Sequence, residues 1–209
     1  MSEASRARLR AIALVVALAL AGCAAAAPPP GDGIVYRDDP HLQKVWIADG
    51  IAFRDYDILL VQETRAEVAK LNPDGVDSLA WARGVLRDEI VTALRAKRVF
   101  PSVVAEVAEA KPGARVLRLQ NTIVEYEKGG GGARFFAGLY GAGQPVIRVR
   151  GRATDGERLV FAFDARRSGD SGLSRMFGGY RSDKAIQEED IRDLAVDLAD
   201  FIARSGARR

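Results

Sequence analysis

Apolar side chains recur near the C-terminus at Ile191, Leu194, Ala195, Leu198, Phe201 and Ile202. Spacings of three and four put all six on one helical face. Glu188, Glu189 and Asp190 precede that stripe and favour the positive end of a helix dipole. A second stripe holds Leu79, Ala82, Leu86, Ile90, Ala93 and Leu94, predicting a helix from about Ser78 to Lys97. Asp77 or Ser78 is placed to cap its start, while Arg95, Lys97 and Arg98 suit its negative end.

Between these stripes the period changes to two. In Val116 to Glu127, Leu117, Leu119 and Ile123 share one side and Arg118, Gln120 and Thr122 the other. In Val146 to Ala153, Ile147, Val149 and Gly151 share one face and Arg148, Arg150 and Arg152 the other. Asp155-Gly156 signals a tight turn, after which Leu159, Phe161, Phe163 and Ala165 alternate along a return strand. Phe100 to Val107 reads as a further strand, separated from the next by the Lys111-Pro112-Gly113 turn. Ile58 to Val61 is a short continuous apolar run, the mark of a buried strand. Shorter extended pieces fall at Ile34 to Tyr36 and Lys44 to Ile47. Two helices with one apolar face each need a sheet to cover. The expected fold is therefore α+β: a mostly antiparallel sheet of about five strands with two helices packed on one face.

The first residues follow a different pattern. Arg6, Arg8 and Arg10 precede an unbroken apolar run from Ala11 to Ala21. That order is a secretory signal peptide, too short to span a bilayer. The run ends Leu20-Ala21-Gly22-Cys23, which resembles the lipobox of bacterial lipoproteins. The resemblance implies cleavage before Cys23, acylation of that residue and an anchor in the membrane. Ala24 in place of Asp implies transfer to the outer membrane. The alternative, a chance Cys beside an ordinary cleavage site, also exists because Ala24 to Ala27 offer such sites. Residues 24–33 combine small residues, three prolines and glycines, as a tether does. Residues 34–209 are then expected to form one periplasmic domain.

Composition narrows the chemistry. Removing residues 1–22 takes away three Arg and one Glu, so the formal charge falls from +3 to +1 over 187 residues. Neither that charge nor secretion suggests a nucleic-acid partner. A domain of this size buries about 70% of its unfolded surface. Cys23 is the sole cysteine and His41 the sole histidine, so no disulfide and no His/Cys metal cluster is expected. No cofactor motif is present either. Gly138 to Gly143 has the wrong order for a phosphate loop and lacks a following Lys-Ser/Thr. Gly169-Asp170-Ser171-Gly172 imitates the nucleophile segment of trypsin-like proteases. His41 lies too near the start of the domain to serve it, and no catalytic residue is assigned.

The glycine-rich run from Gly129 to Gly143, the alternating strand Val146 to Arg152, the Asp155-Gly156 turn and the strand Leu159 to Ala165 form a recognisable set. Together with the helix followed by Phe100-Pro101-Ser102-Val103, they resemble the lipoprotein family called domain of unknown function 4410. The likeness covers roughly residues 45–205 and implies no known catalytic residue.

An antiparallel meander of the strands at 116–127, 146–153 and 159–166 would gather the loops 129–144 and 168–187 at one edge. Both loops mix glycine with apolar groups. Phe135, Phe136, Leu139 and Tyr140 lie in one, and Leu173, Met176, Phe177 and Tyr180 in the other. Glycine loops lose much entropy on ordering, so aromatics there suggest a protein partner that orders them; the alternative is that they fold back over the sheet. Phe135, Phe136, Tyr140, Met176, Phe177 and Tyr180 are the candidate partner-binding residues. Arg148, Arg150 and Arg152 are candidate contacts for an anionic surface or polymer, or else a solvated sheet face partly neutralised by Asp164. The expected function is a non-catalytic, membrane-anchored binding or assembly module of the cell envelope. The alternatives are an envelope hydrolase and a structural subunit of a homo-oligomeric outer-membrane or secretion assembly.

Overall fold

The computed structural model describes residues 33–69, 71, 75–106, 113–129, 145–169 and 182–206. Eight strands form one sheet: β1 (Arg37–Asp39), β2 (Gln43–Ile47), β3 (Ile58–Val61), β4 (Arg65–Ala66), β5 (Ser102–Val104), β6 (Val116–Glu127), β7 (Val146–Asp155) and β8 (Arg158–Arg167). Two long helices, α1 (Val76–Lys97) and α2 (Asp183–Gly206), complete an α+β fold. The strand order is β1-β2-β8-β7-β6-β3-β5, and β4 pairs with β6 beyond the end of β3.

The sheet is larger than expected and mixed. The β6-β7-β8 meander and the added β1 and β2 are antiparallel, but β3 and β4 lie parallel to β6, and β5 lies parallel to β3. Parallel neighbours need a long crossover, and α1 supplies it between β3 and β5. The first strand falls at Arg37–Asp39 rather than at residues 34–36. Asp39 explains the shift: its Oδ1 accepts the His41 and Leu42 amides at 2.9 Å each, which turns the chain into β2. Burial raises the Asp39 carboxyl, but those two amides and nearby cations outweigh it and hold the group below its ordinary pKa.

The apolar sides of the strands meet the helices as their alternation implied. Leu117, Leu119, Ile123, Val149, Phe161, Phe163 and Ala165 join Leu86, Ile90, Leu94, Leu194 and Leu198 in one core. Phe163 lies across Gly151; a Cβ there would come within 1.9 Å of its ring, so only glycine leaves the ring its place. The helices run side by side and parallel. Lys184 covers the Trp81 ring at 4.9 Å, Arg192 meets Glu89 at 3.4 Å, and Lys97 pairs with Asp200, always with the same offset along both helices. Both helices therefore begin at the same end of the sheet.

Two helix-start expectations need correction, while the basic C-terminal end of α1 is as expected. Gly75, not Asp77 or Ser78, is the N-cap of α1, and no side chain caps it. Arg95 and Lys97 lie in the last turn of α1, Arg98 caps it in the left-handed region at φ 53°, and the Arg95 Nε donates to the Val103 carbonyl at 2.9 Å. α2 begins five residues before Glu188, at Asp183, with the Ser182 hydroxyl accepting the Ala185 amide at 3.2 Å.

Candidate functional site

The register of the meander decides where its loops leave the sheet. Glu127 stands opposite Val146, and Ile147 stands opposite Arg167. The end of β6, the start of β7 and the end of β8 thus lie together, as the sequence implied. The segments 130–144 and 170–181 both leave from and return to this end. Phe135, Phe136, Tyr140, Met176, Phe177 and Tyr180 fall in those segments, outside the described residues, as does Cys23.

The first turns of α2 hold the loop roots. Gln187 is buried; its Nε2 donates to the Glu127 carbonyl at 2.9 Å and its Oε1 accepts from the Tyr126 hydroxyl at 3.1 Å. The Tyr126 hydroxyl also meets the Ser78 hydroxyl in the first turn of α1. Burial pushes the Tyr126 phenol up in pKa, against the two hydrogen bonds, so it stays protonated and able to donate. The Gly169 amide donates to Asp190 Oδ2 at 2.8 Å. Gly129 takes φ +86° in a tight space, where an added Cβ would sit 3.0 Å from the Pro145 nitrogen and 3.2 Å from the Asp183 carboxyl carbon. The end of β6, the first turn of α1 and the residue after β8 are therefore tied to the start of α2, directly or through Tyr126, by polar groups.

Sequence reading missed this polar peg. Gln187 lies four residues before Ile191, in phase with the apolar stripe of α2, and a glutamine on that face was the available signal. Tyr126 breaks the odd-numbered alternation of β6 because the register slips between Ile123 and Glu125.

Arg148, Arg150 and Arg152 lie on the sheet face away from the main core, as expected. Asp164, only 7% exposed, takes up two of them. Arg148 donates to it through Nε at 2.7 Å and Nη2 at 3.0 Å, and Arg150 through Nε at 3.0 Å. That bond lifts the already high Arg148 pKa, and Asp164 keeps both side chains lying along the sheet. Beside them, Arg166 grips Glu125 with contacts of 3.1–3.2 Å.

The remaining candidates do not assemble a reaction centre among the described residues. His41 Nδ1 lies 3.4 Å from Asp197 Oδ1, and Arg167 holds the other Asp197 oxygen at 2.6 Å while donating to the His41 carbonyl at 2.9 Å. Of Gly169 to Gly172 only Gly169 is described, and its amide serves Asp190. No group of three or more His, Cys, Asp or Glu there could hold a metal ion. No described helix is long and apolar enough to cross a membrane.

No family model matches the chain, and no curated protein matches it. Solved structures do. A PelC dodecamer from Paraburkholderia phytofirmans is 19% identical over 73% of this chain and 96% of its own, with a TM-score of 0.46. A protein of domain-of-unknown-function family 330 from Xanthomonas campestris is 14% identical over 72% of this chain and 85% of its own, at a TM-score of 0.39. A neuraminyllactose-binding hemagglutinin homologue from Helicobacter pylori is 10% identical over 84% of this chain and 88% of its own, at a TM-score of 0.33. Likenesses this distant assign neither a family nor an activity.

Proposed function

We propose that the chain is a non-catalytic lipoprotein module of the bacterial envelope. It is anchored through Cys23, faces the periplasm from the outer membrane, and binds another envelope protein through the loop-bearing end of its sheet. The N-terminal pattern ending Leu20-Ala21-Gly22-Cys23 supports the anchor. The observation that carries the binding reading is the convergence of both loop roots on the start of α2, fixed by Gln187 and Asp190. Two glycine-rich segments bearing Phe135, Phe136, Tyr140, Met176, Phe177 and Tyr180 have their described roots at this end. Aromatic and methionine side chains are among those protein recognition uses most.

The test is crosslinked capture of the full-length lipoprotein from envelopes, beside a Cys23→Ser control. Mass spectrometry of the mature chain reads the lipid on Cys23 first. A specific envelope protein that is captured by the anchored chain, and lost when Phe135, Phe136, Met176 and Phe177 are all changed to Ala, is the expected result. Capture unaffected by that change in a folded protein would sink the loop assignment. Self-crosslinks alone would favour a structural subunit.

A further inference from the structure

The sheet has a second face, and among the described residues neither helix lies on it. Its cross-strand rows follow from the register. Lys44, Asp164, Arg150 and Thr122 form one row, and Trp46, Ala162, Arg152 and Gln120 the next. Arg166, Arg148 and Glu125 form a third, with Arg118 further along β6 on the same face. Basic groups on β2, β6, β7 and β8 thus outnumber the acids Asp38, Glu125, Glu127 and Asp164. The most deeply placed acid, Asp164, spends its charge on two arginines from within the sheet surface. Lys44, Arg118, Arg148, Arg150, Arg152 and Arg166 set against those four acids leave this face with a formal excess of two positive charges. Trp46 stands within it, half-buried and outside both apolar clusters.

We infer that this face rests on anionic lipid head groups of the membrane that holds the anchor. The inference builds on the lipoprotein reading above. Two features select a lipid surface over a single polymer strand. The cations spread over four strands in two dimensions, as a planar array of head groups requires. A tryptophan with an apolar body and a polar N–H suits the same interface. Each basic group brought to such a surface strengthens the contact roughly five-fold.

The two tryptophans, Trp46 on the sheet face and Trp81 on the helix layer, make the inference testable. The mature lipoprotein is purified from membranes as Trp81→Phe and as Trp46→Phe. Its mass first shows whether Cys23 carries lipid. Each variant is then placed in vesicles of phosphatidylcholine, or of phosphatidylcholine enriched in phosphatidylglycerol, with a nitroxide quencher at the head group. Trp46 is expected to lose roughly half its emission in the anionic vesicles only, and to recover it in ~0.5 M salt, while Trp81 responds to neither. Arg118→Gln combined with Arg152→Gln should weaken the contact roughly 25-fold. If that double variant unfolds, the salt titration of the parent decides instead. A lipidated protein whose Trp46 is quenched no more than Trp81, or equally in both vesicles, overturns the inference and leaves the anchor standing. A Trp46 blind to lipid charge but responsive to added polyphosphate overturns it in favour of a soluble polyanion. A chain without lipid on Cys23 removes the reading beneath it.

Discussion

The two ends of the sheet are built from different materials. At the hairpin end, β7 turns into β8 at Gly156 with φ +60°, and aromatic packing lies beneath. Phe161 stacks on Phe201 at 5.5 Å and meets the edge of Phe53 at 5.8 Å, and Phe53 reaches Phe100 at 6.3 Å. Asp155 is tied to the Tyr56 hydroxyl at 3.2 Å and to Arg115 at 3.4 Å, and Arg115 covers the Tyr56 ring at 4.7 Å. At the loop end, the links are hydrogen bonds among Ser78, Tyr126, Gln187, Glu127, Gly169 and Asp190. Five of the eight phenylalanines are buried in the core, and the other three lie in the two loop segments. One end spends its aromatic surface on stability. The other fixes its loop roots by direction-specific polar contacts beside Tyr126 and Trp81, and three phenylalanines fall in its loop segments.

That contrast can be broken by substitution. Phe161→Ala should cost the most, ~3–5 kcal/mol, because it empties the centre of the aromatic cluster. A denaturant midpoint would read it, and partner capture by the folded fraction should persist. Gly151→Ala should cost about 1–3 kcal/mol by driving a methyl into the Phe163 ring. Relief by the further change Phe163→Leu would show that the clash is the cause. Gln187→Leu should cost ~1–2 kcal/mol, since it strands the Glu127 carbonyl. Here partner capture should fall even where the protein remains folded. If Gln187→Leu lowers stability but leaves capture untouched, the polar peg is no more than scaffold.

The smallest effect concerns α2 itself. Burial first, then the charges of Glu189 and Asp197, raise the Asp193 carboxyl above its ordinary pKa. A raised acid means that the unfolded chain gives up this proton first. The folded state is therefore penalised at neutral pH, and the penalty vanishes below the ordinary Asp value. Asp193→Asn should stabilise the protein at pH 7, by ~0.5 kcal/mol or less given solvent screening, and gain nothing near pH 3. Paired melts at the two pH values would check it.

Local patterns made much of this legible. The stripes of α1 and α2, the faces of β6 and β7, the Asp155-Gly156 turn and the gathering of the loop roots all follow from periodicity. The rest depends on distant partners. β4 and β5 have two and three residues, too few for a period, and their places are set by pairing with β6 and β3. β2 joins β8 across more than a hundred residues, helped by Gln43, whose side chain exchanges hydrogen bonds of 2.9 and 3.0 Å with the Arg166 backbone. At the loop end, Gln187 and Tyr126 become a site only when α2 meets β6, which no local spacing announces.

The central claim is that the loop end, and not the hairpin end, meets a partner. Photo-crosslinking in intact cells tests it most directly, with a photoreactive residue replacing Phe136, Phe177 or Glu157 in turn. The account predicts one shared protein adduct from positions 136 and 177 and none from position 157. An adduct from position 157 alone, or equal adducts from all three, would contradict it.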